Sequence, residues 1–210
     1  MLFDREGLIS GLGELGSAAY AAGKVIDLCV YGGSCLMLVS DFRVASADVD
    51  AVATTDQPFV DRIAEAIAER RGWPKDWLND GVRTYLSPSA DVPDDHVLTG
   101  TYPSERQPGI RVYVPTPEYM LAMKLMAMRI DEASGGKDKD DILDLINVVG
   151  IGTKSALVKM AAAYYPEAKA SAKLLLSADA LVAESKARRK GRHAPPRYLG
   201  RSGGGREGRE

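Results

Sequence analysis

The sequence is poor in the residues that hold soft metals or crosslink chains: its 210 residues include two cysteines and two histidines. Cys29 and Cys35 lie close together without a C-x-x-C spacing, so buried, reduced thiols are expected instead of a disulfide or a metal site. With only His96 and His193 beside them, zinc is set aside. Long apolar runs are also missing. Nothing approaches the roughly 18 consecutive apolar residues of a membrane span. The opening MLFDREGLIS has acids where a signal peptide has a basic start and an apolar stretch. The expected location is cytoplasmic, with no membrane partner, and no internal repeat is visible.

What is present is a globular composition, 45% hydrophobic and 27% charged, enough to bury a sizeable core. The net charge of -2 conceals an asymmetry: from Lys186 onward nine basic residues face two acidic ones, giving that part +7 and the body -9. This end is rich in Gly, Pro and Arg, so residues 188–210 are expected as a flexible basic tail. It reads either as an electrostatic arm for RNA or as a solvated terminus without a dedicated partner.

Periodicity predicts a helix over residues 2–22, weakened by Gly11, Gly13 and Gly16. A buried strand follows at 25–32, closed by Gly32-Gly33, then a short helix in SCLMLVSDF and a second strand at 46–54. An amphipathic helix comes next, with Phe59, Ile63, Ala66 and Ile67 on one face. In the turn-rich middle, VRTYLS, HVLTGTY and IRVYV are β-like pieces expected to extend the sheet antiparallel to its first strands. From Thr116 the pattern is helical: Thr116-Pro117-Glu118 is a helix start, and further segments fall near 138–149, 153–165 and 167–188. The fold class is α/β (α+β): an α/β core at 1–115 with a small mixed sheet flanked by helices, then a helical part at 116–187.

Two aspartates stand out. Asp48 and Asp50, on one strand, would project to the same face. Paired carboxylates repel when removed from water unless a cation lies between them, and magnesium accepts such a pair when a nucleotide's phosphates complete its shell. Gly32 and Gly33 would let the backbone approach phosphate, with Ser34 and the following helix N-terminus supplying donors. A surface strand with a polar face would carry two acids without any site. The functional reading rests on the combination.

That combination, Gly32-Gly33-Ser34 followed by Arg43-x-x-Ser46-x-Asp48-x-Asp50, resembles the signature of the DNA polymerase β-like nucleotidyltransferase superfamily, in particular its AbiEii-type bacterial branch. A second block supports the resemblance. EYMLAMKLMAMRI, residues 118–130, is apolar almost all round with Lys124 in its middle, and a buried lysine needs an anionic partner unless it snorkels. Next, GGKDKDDILDL places Asp138 and Asp141 on one face of a helix start, where Asp138 reads equally as a cap. Together they resemble the lysine helix and aspartate helix of the same branch.

The resemblance spans roughly residues 25–150 and implies a magnesium-dependent transfer of a nucleoside monophosphate from an NTP. Asp48 and Asp50 would bind Mg2+. Gly32, Gly33, Ser34, Arg43 and Ser46 would bind the nucleotide, and Lys124 its phosphates, while Asp138 or Asp141 would hold Lys124 or act near the acceptor. The implied acceptor is an RNA such as the tRNA 3' end, or a protein. Such proteins are often toxins paired with an antitoxin or part of phage defence. The chain departs from the superfamily in one respect: IRVYV, the candidate strand for a third carboxylate, has none. The other reading is therefore a nucleotidyltransferase-fold binding module without catalysis.

Overall fold

The computed structural model describes residues 2–90, 92–128, 132–191 and 196–198. Its centre is a five-stranded mixed sheet of order β3-β2-β1-β5-β4, formed by β1 (Ile26–Val30), β2 (Val49–Ala53), β3 (Leu78–Asn79), β4 (His96–Ser104) and β5 (Gln107–Pro115). β1 is antiparallel to β2 and parallel to β5, and β4 closes an antiparallel hairpin with β5. Because β1 and β2 oppose each other, the expected antiparallel course is split: β4 runs antiparallel to β1, and β5 antiparallel to β2. The chain first runs out to β4 at the far edge, and the hairpin turn brings β5 back between β4 and β1, alongside β1 in direction. VRTYLS is not a strand. Asn79 and Asp80 curl it into a 3-10 turn, Gly81–Tyr85, their side-chain oxygens accepting from Gly81 N (3.0 Å) and Arg83 Nε (2.9 Å) respectively.

Helices cover the sheet. α1 (Arg5–Ala21) is capped by Asp4, whose carboxylate accepts from Gly7 N at 2.8 Å. Of the glycines that weaken α1 as a sequence pattern, Gly16 is where it meets the hairpin, Gly11 lies against Trp77 and Trp73, and Gly13 faces open space. A Cβ on Gly16 would stand 2.5 Å from the Tyr102 backbone, and one on Gly109 would stand 1.8 Å from Gly16 O. Helix and sheet therefore touch backbone to backbone. α2 (Gly32–Val39) follows β1 directly, and α3 (Gln57–Arg71) leads to Trp77, fully buried with its indole N–H donating to Ala64 O at 2.9 Å. α4 (Val92–Asp95) is a single turn before β4.

The helical part comprises α5 (Pro117–Ala127), α6 (Glu132–Val149), α7 (Lys154–Tyr164) and α8 (Ala172–Lys190). Thr116 caps α5 as expected, accepting from Tyr119 N at 3.4 Å. The segment expected as one helix at 167–188 is divided. Pro166 opens a 3-10 turn to Ala170, and Ser171 caps α8 afresh. Both parts share one hydrophobic core, running from Leu12 and Leu28 through Tyr119 and Leu121 to Ile142 and Leu181. Among the described residues no single helix is long and apolar enough to cross a membrane.

The start of the expected tail is ordered. Arg188 belongs to α8 and holds Asp144 (2.9 Å) and Asp140 (2.6 Å) on α6. Tyr198 is buried: its hydroxyl donates to Pro115 O at 2.6 Å and lies 3.6 Å from Cys35 Sγ, and its backbone bridges to Ser40. A large aromatic gains enough by burial to fix a short segment that is otherwise poor in apolar residues. The remainder of the expected tail, 192–195 and 199–210, lies outside the described residues.

Candidate functional site

The Gly-Gly turn at the end of β1 is shaped by the side chains around it. Tyr31 N donates to Asp50 O at 2.8 Å, so the turn leaves the sheet beside Asp50. Gly32 has φ +64°, and a Cβ there would fall 2.6 Å from Asp50 Oδ2. A Cβ on Gly33 would meet Arg43 Nη2 and Ser46 Oγ, each at 2.9 Å. Both glycines are thus required by close approach of the very residues that accompany them in the sequence pattern.

The same crowding yields a prediction. Gly32→Ala should lose about 2 kcal/mol or more in urea unfolding, from left-handed backbone strain plus the clash with Asp50. Gly23, at φ +68° with nothing within 4 Å, shares the strain alone, so Gly23→Ala is the control. Equal losses in the two variants would show that Asp50 does not crowd Gly32.

Asp50 lies on β2 and is partly buried. Burial, with the charge of Asp48 adding to it and that of Lys124 opposing, pushes its carboxyl up to about 6. Asp48 is exposed in the bend just before β2, not on the strand. Strand alternation therefore does not aim Asp48, but its charge acts on Asp50. Lys124 projects from α5 with its side chain 12% exposed, and its ammonium pairs with Asp138 at 2.6 Å and Asp141 at 3.0 Å. Burial works against the ammonium, but Asp141 and Asp138 outweigh it and hold its pKa above the usual lysine value. Lys124 does not snorkel.

The two helical aspartates divide their work. Asp141 is buried, and its Oδ2 accepts from Arg43 Nη1 at 2.9 Å as well as from Lys124. Arg43 also donates Nε to Ala45 O at 3.0 Å, so it braces the loop between α2 and β2 against α6. Asp138 is the more exposed of the pair and lines a cleft of about 240 Å³ with Gly32, Asp50 and Lys124. Since α6 begins at Glu132, Asp138 is not its cap.

Ser34 and Ser46 do not face this cleft. Ser34 is fully buried and its hydroxyl donates to Tyr31 O at 2.9 Å, which corrects the expectation that it meets phosphate. Ser46 is buried and its backbone bridges to Phe3, while its Oγ backs the turn at Gly33. The donors left at this corner are the N–H groups of the first turn of α2, which have no partner within the helix. Both cysteines are free, and burial pushes Cys29 up to about 11 and Cys35 up to about 12, so neither is poised as a nucleophile.

The rest of the lining includes Val82 and Tyr85 from the 3-10 turn and Met120, Met123 and Ala127 from α5. Met120 and Met123 read as core in the sequence, and Val82 and Tyr85 as strand. The Asn79-Asp80-Gly81 turn signal was the clue to their true setting. Among the described residues, no group of three or more His, Cys, Asp and Glu side chains is gathered as a metal centre. The residues that would hold a divalent cation are Asp50 and Asp48: burial and then the Asp48 charge disfavour the ionised Asp50 carboxylate, and a bound cation would offset both. Comparison of the chain with protein-family models, curated proteins and solved structures finds no match.

Proposed function

We propose that this chain is a magnesium-dependent nucleotidyltransferase that moves a nucleoside monophosphate from an NTP to an RNA or protein acceptor. The observation that carries the reading is the convergence of Gly32, Asp50, Lys124 and Asp138, from four separate elements, on one cleft. A magnesium ion held by Asp48 and Asp50 would supply charge neutralisation of the triphosphate. The first-turn N–H groups of α2 bind phosphate oxygens with the favourable end of a helix dipole behind them. Lys124, fixed by two carboxylates, steadies charge developing on the departing pyrophosphate. Asp138 sits at the open side of Lys124, where it orients the acceptor group. A cytoplasmic toxin paired with an antitoxin, or a phage-defence factor, fits this chemistry, and the basic residues after Lys186 favour RNA as acceptor.

A second reading has an observation of its own. β5, Gln107–Pro115, carries no acidic residue, so two carboxylates stand where the superfamily often has three. A nucleotide-binding module without catalysis is consistent with that.

One experiment separates the two. Each of the four NTPs, labelled at the α-phosphate, is offered with magnesium to the protein plus total tRNA or total cell protein, in parallel with Asp48→Asn. Label transferred by the native chain and at least a hundredfold less by the variant is the expected result. Magnesium-dependent NTP binding with no transfer to either pool would establish the sensor.

A further inference from the structure

The lining of the cleft is of two kinds. One is charged or bare backbone, from Gly32, Asp50, Lys124 and Asp138. The other is apolar: Val82 and Tyr85 on the 3-10 turn face the same space as Met120 and Met123 on α5. Tyr85 is unusual among these. It is 64% exposed, and among the described residues it is the exposed large apolar side chain that lines the cleft.

Its exposure does not come from a loose backbone. Tyr85 O accepts from Tyr165 Oη at 2.7 Å, and two residues on, Ser87 N donates to Tyr119 Oη at 3.0 Å while the Ser87 hydroxyl donates to Tyr164 O. At the other end of the turn, Asn79 and Asp80 hold Gly81 and Arg83. Three tyrosines of the helical part thus clamp the chain next to a fourth whose ring stays in solvent. An aromatic ring held at the rim of a cleft, with thioethers across from it, is a stacking surface for a flat, polarisable group.

We infer that Tyr85 is the platform on which the nucleobase of the bound nucleotide stacks, with Met120 and Met123 as the apolar floor. This rests on the nucleotidyltransferase reading above and deepens it. A nucleoside triphosphate has the two chemistries that the lining has: a polyanion for the Lys124 side and an aromatic plane for the Tyr85 side. Val82, Met120 and Met123 offer no strong donor or acceptor, and a Tyr85 ring lying flat on the base holds its hydroxyl away from the base edge, so selection follows stacking area. Purines bind more tightly than pyrimidines, and within each class the site discriminates little.

The test measures affinity of the full chain for ATP, CTP and inorganic tripolyphosphate, each with magnesium, by calorimetry. Native protein is compared with Tyr85→Ala and Tyr85→Phe. Tyr85→Ala should weaken ATP about tenfold or more, weaken CTP less, and leave tripolyphosphate within twofold. Tyr85→Phe keeps the ring and should stay within twofold for all three. Because the clamp uses the Tyr85 carbonyl, the urea midpoint should not move in either variant. Unchanged ATP affinity in Tyr85→Ala, or an equal loss for tripolyphosphate, would overturn the platform while leaving the nucleotide reading intact. Failure of the native chain to bind either ATP or tripolyphosphate would instead remove the nucleotide reading, and the platform with it.

Discussion

Asp141→Asn is expected to lose about 3–5 kcal/mol of stability, because it strips the shared counter-charge from Arg43 and Lys124 in a place closed to water. At this chain length that is a fall in Tm of roughly 10 °C. The carboxylate is 4% exposed, and the same oxygen meets both cations, so an amide can satisfy neither charge. Lys124 retains Asp138, while Arg43, which among the described residues keeps the Ala45 carbonyl, is released from α6. The loop that carries Asp48 then loses its brace. Asp140→Asn is the matched control: Asp140 is one turn-face away on the same helix, pairs with Arg188, and has a side chain 58% exposed. A surface pair of that kind contributes at most about 1 kcal/mol. Urea unfolding of the two variants at pH 7 makes the comparison, and similar losses would mean that Asp141 is no strut.

The second large effect runs the other way. Asp50→Asn should make the protein more stable at pH 7, by on the order of 2 kcal/mol, while lowering the proposed nucleotide transfer about a hundredfold or more. Burial, and after it Asp48, raises the Asp50 carboxyl to about 6, so the folded chain holds that proton more tightly than the unfolded one. The sign follows from this. Below about pH 4, Asp50 is protonated in both states and the native chain and variant should match. As pH rises from about 4 to about 6, the native chain loses stability that the variant keeps. Above that range the difference is constant. Magnesium should return stability to the native protein and not to the variant. A variant that is less stable at every pH would mean that Lys124 already compensates the ionised Asp50.

Much of the site was legible because its parts are local. Gly32-Gly33, Asp48-x-Asp50 and a lysine in an apolar helix are short patterns with physical meaning at fixed spacing, and the fold brings Gly32, Asp50, Lys124 and Asp138 together. The roles within the pattern were less legible. Whether Ser34 meets a ligand or Tyr31 O depends on how deeply the first turn of α2 is sunk, and its full burial is a property of the neighbours. Likewise Asp138 and Asp141 look alike in sequence, and only the packing of α6 against the α2–β2 loop makes one a strut and the other a wall of the cleft. In the fold, VRTYLS misled because alternation outranked the Asx-type turn chemistry of Asn79 and Asp80. The direction of β5 was out of reach, since it depends on which edge β4 takes.

Tyr198 gives the molecule an order of assembly. Its hydroxyl meets Pro115 and Cys35, 83 and 163 positions earlier in the chain, so the loops that must close before it contributes are among the longest available here. Closure entropy places such a contact late in folding, after sheet and helices have formed around local pairings. The α2 segment, with the Gly-Gly turn at its head, therefore reaches its final packing at Cys35 only once the segment around residue 198 has docked. Until then the helix that begins at Gly32 folds without one of its buried contacts.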